Sequence, residues 1–243
     1  RALTSDQIAV LTTAQILGMR TSQIAAISTI GIAALTATQA ASLSSAAASA
    51  LTTRQIAAVE TEDLGALSTS AVRALGSAQL WALSTDQIAA LTTDQIVGLG
   101  AMETADLVVL STTNLQAIGT EQLIALLTSQ VAALTTRQIN GLATTQLAAL
   151  LESQIVALGT TQVASLSAAN TVALGSTQIA ALETTDLAAL STANTQLLLS
   201  SQIAALSTAQ LWALGTLQMA ALSTVQTAAL SVDQLPTLSA SHI

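Results

Sequence analysis

The groups in this chain that could do chemistry are few. Among 243 residues there are thirteen carboxylates, five basic side chains and one His, and no Cys, Tyr or Phe. His242 stands beside the C-terminus with no second His and no Cys to share a metal, so it reads as a terminal residue rather than a ligand. Ser is abundant, but a nucleophilic Ser needs a positioned base and none is available. Three segments, ETEDLGAL (60–67), ETADLVVL (103–110) and ETTDLAAL (183–190), pair Glu60 with Asp63, Glu103 with Asp106 and Glu183 with Asp186. At the start of a helix such carboxylates complement the dipole, a structural role; a calcium site needs more oxygens converging on one ion. Trp81 and Trp212 share the context LWAL, at a position where Arg73 also occurs, which predicts partial exposure. An exposed indole can anchor a sugar or a partner surface; the plainer alternative is a ring that covers a groove. No catalytic, cofactor or metal set emerges, and an enzyme is not expected.

The elements that hold these residues come from an internal repeat. Apolar residues recur every eight positions without a break from Leu3 and Leu11 to Leu91 and Leu99. After three inserted residues (Gly100, Ala101, Met102) the spacing resumes at Leu110 and runs to Leu238. The unit is L-[ST]-T-x-Q-[ILV]-A-A. One long helix is excluded, because eight residues at about 100° each overshoot two turns by about 80° and spread the Leu around the axis. Strands are excluded by the recurring Ala-Ala and the lack of alternation. Each octad must therefore contain its own break.

The polar positions place that break. Ser or Thr followed three residues later by Gln is a capping box, in which hydroxyl and amide satisfy helix-start N–H groups reciprocally. In STDQIAAL (84–91), Ser84 is the N-cap and Gln87 is N3, while Leu83 and Ile88 are spaced as a hydrophobic staple. N3 is Gln, Asp or Asn in all octads except those with Gly31, Ala47 and Ala71. Gly takes the cap at Gly76, Gly119, Gly159, Gly175 and Gly215. Each octad thus predicts one capped helix of about six residues, too short to stand alone. The residue before each Leu is nearly always Ala, Gly or Ser (Ala26, Ala90, Gly98, Gly141, Ser165), which suggests that neighbouring backbones approach closely there. The fold class expected is an all-α solenoid with Leu and Ile inward and one helix per octad.

Octads also resemble one another every fifth unit, a 40-residue super-repeat. One reading is five helices per coil, a pentagon with sides of about 9 Å at ~1.5 Å per residue; the other is duplication of a forty-residue unit without geometric meaning. Residues 1–243 read as a single array: octads 3–99, the insertion 100–102, octads 103–238 and a frayed tail 239–243. The chain opens at Arg1 inside the pattern with no signal peptide, as a fragment or processed segment of a longer array does. Neither end carries the polar cap a solenoid needs, so the chain is expected to continue or to stack on other copies.

Bulk properties remove other classes. A net charge of −8 leaves no basic stripe for nucleic acid. Mean hydropathy is +0.66, yet no 18-residue window lacks Ser, Thr or Gln, which excludes transmembrane helices. Runs such as STDQIAALTTDQIVGL (84–99) and TSQVAALTTRQINGL (128–142) resemble the octapeptide-repeat regions of very large bacterial secreted or surface proteins, described as adhesin- or haemagglutinin-like. The resemblance implies an extracellular or cell-surface location and a spacer or filament role, and transfers no functional residue. The function expected is a non-enzymatic stalk or self-assembling filament segment with end-to-end self-association. The alternative is a binding module for ice, glycan or another surface, using ordered Ser/Thr ranks or exposed Trp81 and Trp212.

Overall fold

The fold is that of a computed structural model, which describes residues 3–99 and 105–237, with the side chains of 105, 106 and 237 left out. The insertion 100–102, Glu103, the side chain of Asp106, His242 and the tail 239–243 lie outside the described residues. Among the described residues, twenty-eight short α-helices, α1 (Ser5–Ala9) to α28 (Thr224–Ala228), are followed by a 3-10 turn at Leu235–Thr237. No strand occurs among the described residues. The all-α repeat fold expected from the octads is present.

In α11 (Thr85–Ala90) the cap residue Ser84 is extended, at φ −74° and ψ 165°. Its Oγ accepts from Gln87 N at 3.2 Å, and Gln87 Oε1 accepts from Ser84 N at 2.9 Å. Leu83 and Ile88 are both buried, as the staple requires. The helix stops because Leu91 returns to the extended region (φ −62°, ψ 139°), and Thr92 caps the next helix. No described residue has positive φ, so these corners are made from extended residues and not from left-handed glycines.

Either half of the box is enough to start a helix here. Gly76 has no hydroxyl, yet its N–H donates to Gln79 Oε1 at 2.7 Å; Leu127 and Leu199 do the same to Gln130 and Gln202. Where N3 is Gly31, Ala47 or Ala71, the hydroxyls of Ser28, Ser44 and Ser68 accept its N–H. Among the described caps, those of the acidic octads at Glu60 and Glu183 have neither half.

Helices pack on their third neighbours. α5 (Ala37–Ala41) lies on α8 (Thr61–Ala66), α9 (Thr69–Arg73) on α12 (Thr93–Leu99), and α20 (Thr160–Ala164) on α23 (Thr184–Ala188). A coil therefore holds three octads and not five, and the 40-residue resemblance has no counterpart in packing. The physical reason is the size of the core. With helix sides of about 9 Å, a pentagon encloses about four times the area of a triangle, more than one Ile and one Leu per side fill at interior density. The chain divides into two compact units, Arg1–Leu126 and Leu127–Ile243. Each is three-sided: the first contains α1 to α15 (Thr120–Ile124), the second α16 (Thr128–Ala133) to α28 and the 3-10 turn.

Away from the first and last coils the residue after Gln is sealed, as with Ile56, Leu80, Ile139 and Ile179, and the Leu before each cap is nearly so. The small residue at the helix end is where coils meet. A Cβ on Gly98 would stand 2.9 Å from Thr69 Cγ2 and 3.0 Å from Arg73 Cγ, both on α9.

Candidate functional site

Glutamine does more than cap. In the second and later coils its Nε2 donates across to the coil before, onto two carbonyls at the end of a helix, the first of which also accepts a backbone N–H three residues on. Gln39 Nε2 reaches Ile8 O at 2.9 Å and Leu11 O at 2.8 Å. Gln87 reaches Ile56 O and Val59 O at 2.9 and 2.7 Å, and Gln178 reaches Leu147 O and Leu150 O at 3.1 and 2.7 Å. One buried amide thus closes a helix start in its own coil and a helix end in the previous one. Asn is one methylene shorter and keeps only the contact with the previous coil. Asn114 Nδ2 donates to Leu83 O at 3.0 Å and Asn194 Nδ2 to Leu166 O at 2.7 Å. Capping logic applied within one octad accounts for the Gln carbonyl and misses this clasp by its amide. A signal for it lies in the sequence: a capping box accepts Glu as readily as Gln, yet no octad has Glu at N3. The amide must therefore donate as well as accept.

Asp at N3 cannot donate when ionised. Asp63 and Asp186 are both buried. Asp186 Oδ1 accepts from Thr160 Oγ1 at 2.8 Å, a bond between stacked helices α20 and α23. Asp63 Oδ2 has no hydrogen-bond partner among the described residues. Burial, and secondarily the negative charges of Glu60 and Glu62, push the Asp63 carboxyl up to about 6. Among the described residues no group of His, Cys, Asp or Glu could hold a metal ion.

The two indoles are exposed as expected, Trp81 by 70% and Trp212 by 64%. Trp81 borders a groove of about 420 Å³ between α7 (Thr53–Ile56) and α10 (Ser77–Trp81), lined also by Thr53, Arg54, Ala57, Ala78 and Ala82. Two larger recesses, about 540 and 550 Å³, lie over helix starts at Gly119 and Gly175, where Gln122 and Gln178 are already engaged with their caps. No helix of the described residues is long and apolar enough to cross a membrane.

These features define an α-helical solenoid assembled from a short self-capping unit, with its polar side chains committed to the coil itself. Residues 56–93, 73–100, 99–136, 179–216 and 203–240 match the model of the ALTTAQ repeat family, and the matches span more than half of the sequence. The chain belongs to that repeat family, and it is a structural repeat protein. No curated protein matches it.

Proposed function

We propose that this chain is a non-enzymatic segment of a stalk or self-assembling extracellular filament of a bacterial surface protein, extended by stacking coil on coil. The observation that carries this reading is the amide clasp by which each later coil closes the coil before it, as Gln39 does on Ile8 and Leu11, a contact that any further coil can continue. Gln7, Gln15 and Gln23 cap their helices like the others, with Oε1 accepting at 3.0, 2.8 and 2.8 Å. Their side chains are exposed and their Nε2 groups donate to nothing among the described residues. At the far end of the second unit, Leu222 and Leu230 hold the acceptor positions, and no described residue donates to their carbonyls. Donor rim and acceptor rim are complementary, whether the next coil comes from the same chain or another copy. The cell-surface setting rests on the likeness of the octads to adhesin-type repeat regions.

Sedimentation and negative-stain electron microscopy across a concentration series test the stacking. Head-to-tail polymers are expected, and the variant Q7E/Q15E/Q23E, which keeps an accepting oxygen at each cap and loses the Nε2 donors, is expected to remain monomeric with unchanged helical circular dichroism. Discrete monomers of the unmodified chain at every concentration overturn self-assembly.

A further inference from the structure

The groove between α7 and α10 breaks the regular surface. Ala57, Ala78 and Ala82 give it a floor of methyl groups, the Trp81 indole stands as an exposed wall, and Thr53 and Arg54 form a polar rim. Arg54 is exposed and takes part in no ion pair or side-chain hydrogen bond among the described residues, in a chain whose net charge is −8. The second unit repeats the set: Thr184, Ala188, Ala209, Trp212 and Ala213 stand in the same order and spacing on α23 and α26 (Thr208–Ala213), which also pack together. One residue differs. Thr185 stands where Arg54 does.

We propose that the Arg54–Trp81 groove binds a sugar bearing a carboxylate, of the uronic acid class. The C–H face of a pyranose ring lies against the Trp81 indole, as apolar faces do on exposed aromatics. The Arg54 guanidinium pairs the carboxylate through two parallel N–H donors, and the Thr53 hydroxyl meets a ring hydroxyl. Size favours a saccharide over a protein partner. About 420 Å³ lined by six residues suits one or two rings, whereas a stable protein interface buries about 800 Å² per partner. The overall negative charge opposes a long polyanion at range, so the fit is to a short oligosaccharide with few carboxylates. The Trp212 surface, without the arginine, has no preference for the acid.

The test follows the two indole N–H resonances of the intact chain by NMR, assigned with Trp81→Phe, during titration with digalacturonate and with neutral galactobiose. Digalacturonate is expected to shift the Trp81 signal saturably, with affinity about tenfold or more above that for galactobiose, as one charge-assisted pair supplies. Arg54→Thr is expected to erase that preference, so that the two disaccharides bind with about the same affinity, and Thr185→Arg to create it at Trp212. Both side chains are exposed, so circular dichroism stays that of the parent. A Trp81 signal indifferent to digalacturonate, or shifted equally in Arg54→Thr, overturns the proposal. So does a Trp81 signal that moves with a tri-glutamate peptide and not with the sugar, which assigns the groove to an acidic peptide.

Discussion

The octads ETEDLGAL (60–67) and ETTDLAAL (183–190) place the same carboxylate at the same helical position and bury it to the same degree, 4% exposed at Asp63 and 5% at Asp186. Their surroundings differ in two places. Asp186 accepts from Thr160, 26 residues earlier, and the residue 26 before Asp63 is Ala37. Asp63 also has Glu62 beside it, where Asp186 has Thr185. In a fold where N3 otherwise clasps the previous coil, an acid needs a donor sent up from that coil. The second unit supplies one and the first does not. A repeat that looks interchangeable in sequence is therefore specified by its neighbour 24 to 31 residues away.

Removing the hydroxyl should have the largest effect. Thr160→Val leaves the buried Asp186 carboxylate without that donor, and is expected to cost about 2 kcal/mol. The loss should show in urea denaturation at pH 7 as a lower midpoint with unchanged slope; a midpoint within error of the parent would sink the comparison. The next effect is a pH dependence at Asp63. Its carboxyl is raised from 3.8 to about 6 in the fold, so the protonated acid is the form the fold prefers. That stability is complete below 3.8 and is lost as pH rises to about 6. Asp63→Asn removes the loss and provides an amide donor, as at Asn114 and Asn194. It should stabilise by about 1–2 kcal/mol at pH 7 and much less at pH 4; equal gains at the two pH values would contradict the account. Ala37→Thr copies the second unit into the first. A gain of about 1 kcal/mol at pH 7 is expected, with the Asp63 carboxyl titrating at lower pH by carbon-detected NMR, and an unchanged titration would mean the hydroxyl does not reach. The smallest change is Gly175→Ser, which restores a missing hydroxyl cap and is expected to add a few tenths of a kcal/mol to thermal stability.

Much of this architecture is legible from residue types because its chemistry is local. The cap at Ser84, the reach-back of Gln87 and the staple from Leu83 to Ile88 span only a few residues, and the structure forms all three. The number of helices per coil is not legible in the same way, since an eight-residue period looks identical for a triangle and a pentagon. It is decided by the space that Ile and Leu at two positions can fill. The second bond of each glutamine is hidden for a related reason: Gln55 meets Ile24 and Ile27, 31 and 28 residues away. The exposure of Trp81 follows from the Arg73 that shares its position. Its pairing with Arg54, 27 residues earlier, becomes visible only once coils of three octads bring α7 beneath α10.

The glutamine clasp has a direction. Each of these inter-coil amide bonds runs from a later residue to a carbonyl made earlier, as with Gln39 to Ile8 and Gln226 to Thr195. A chain emerging N-terminus first therefore never waits for a partner still to be synthesised. Each octad arrives against a finished template and closes a short loop, which is cheap in entropy and fast. A sequence so monotonous in composition thus encodes an arrow of assembly, set by which end of an amide points backward.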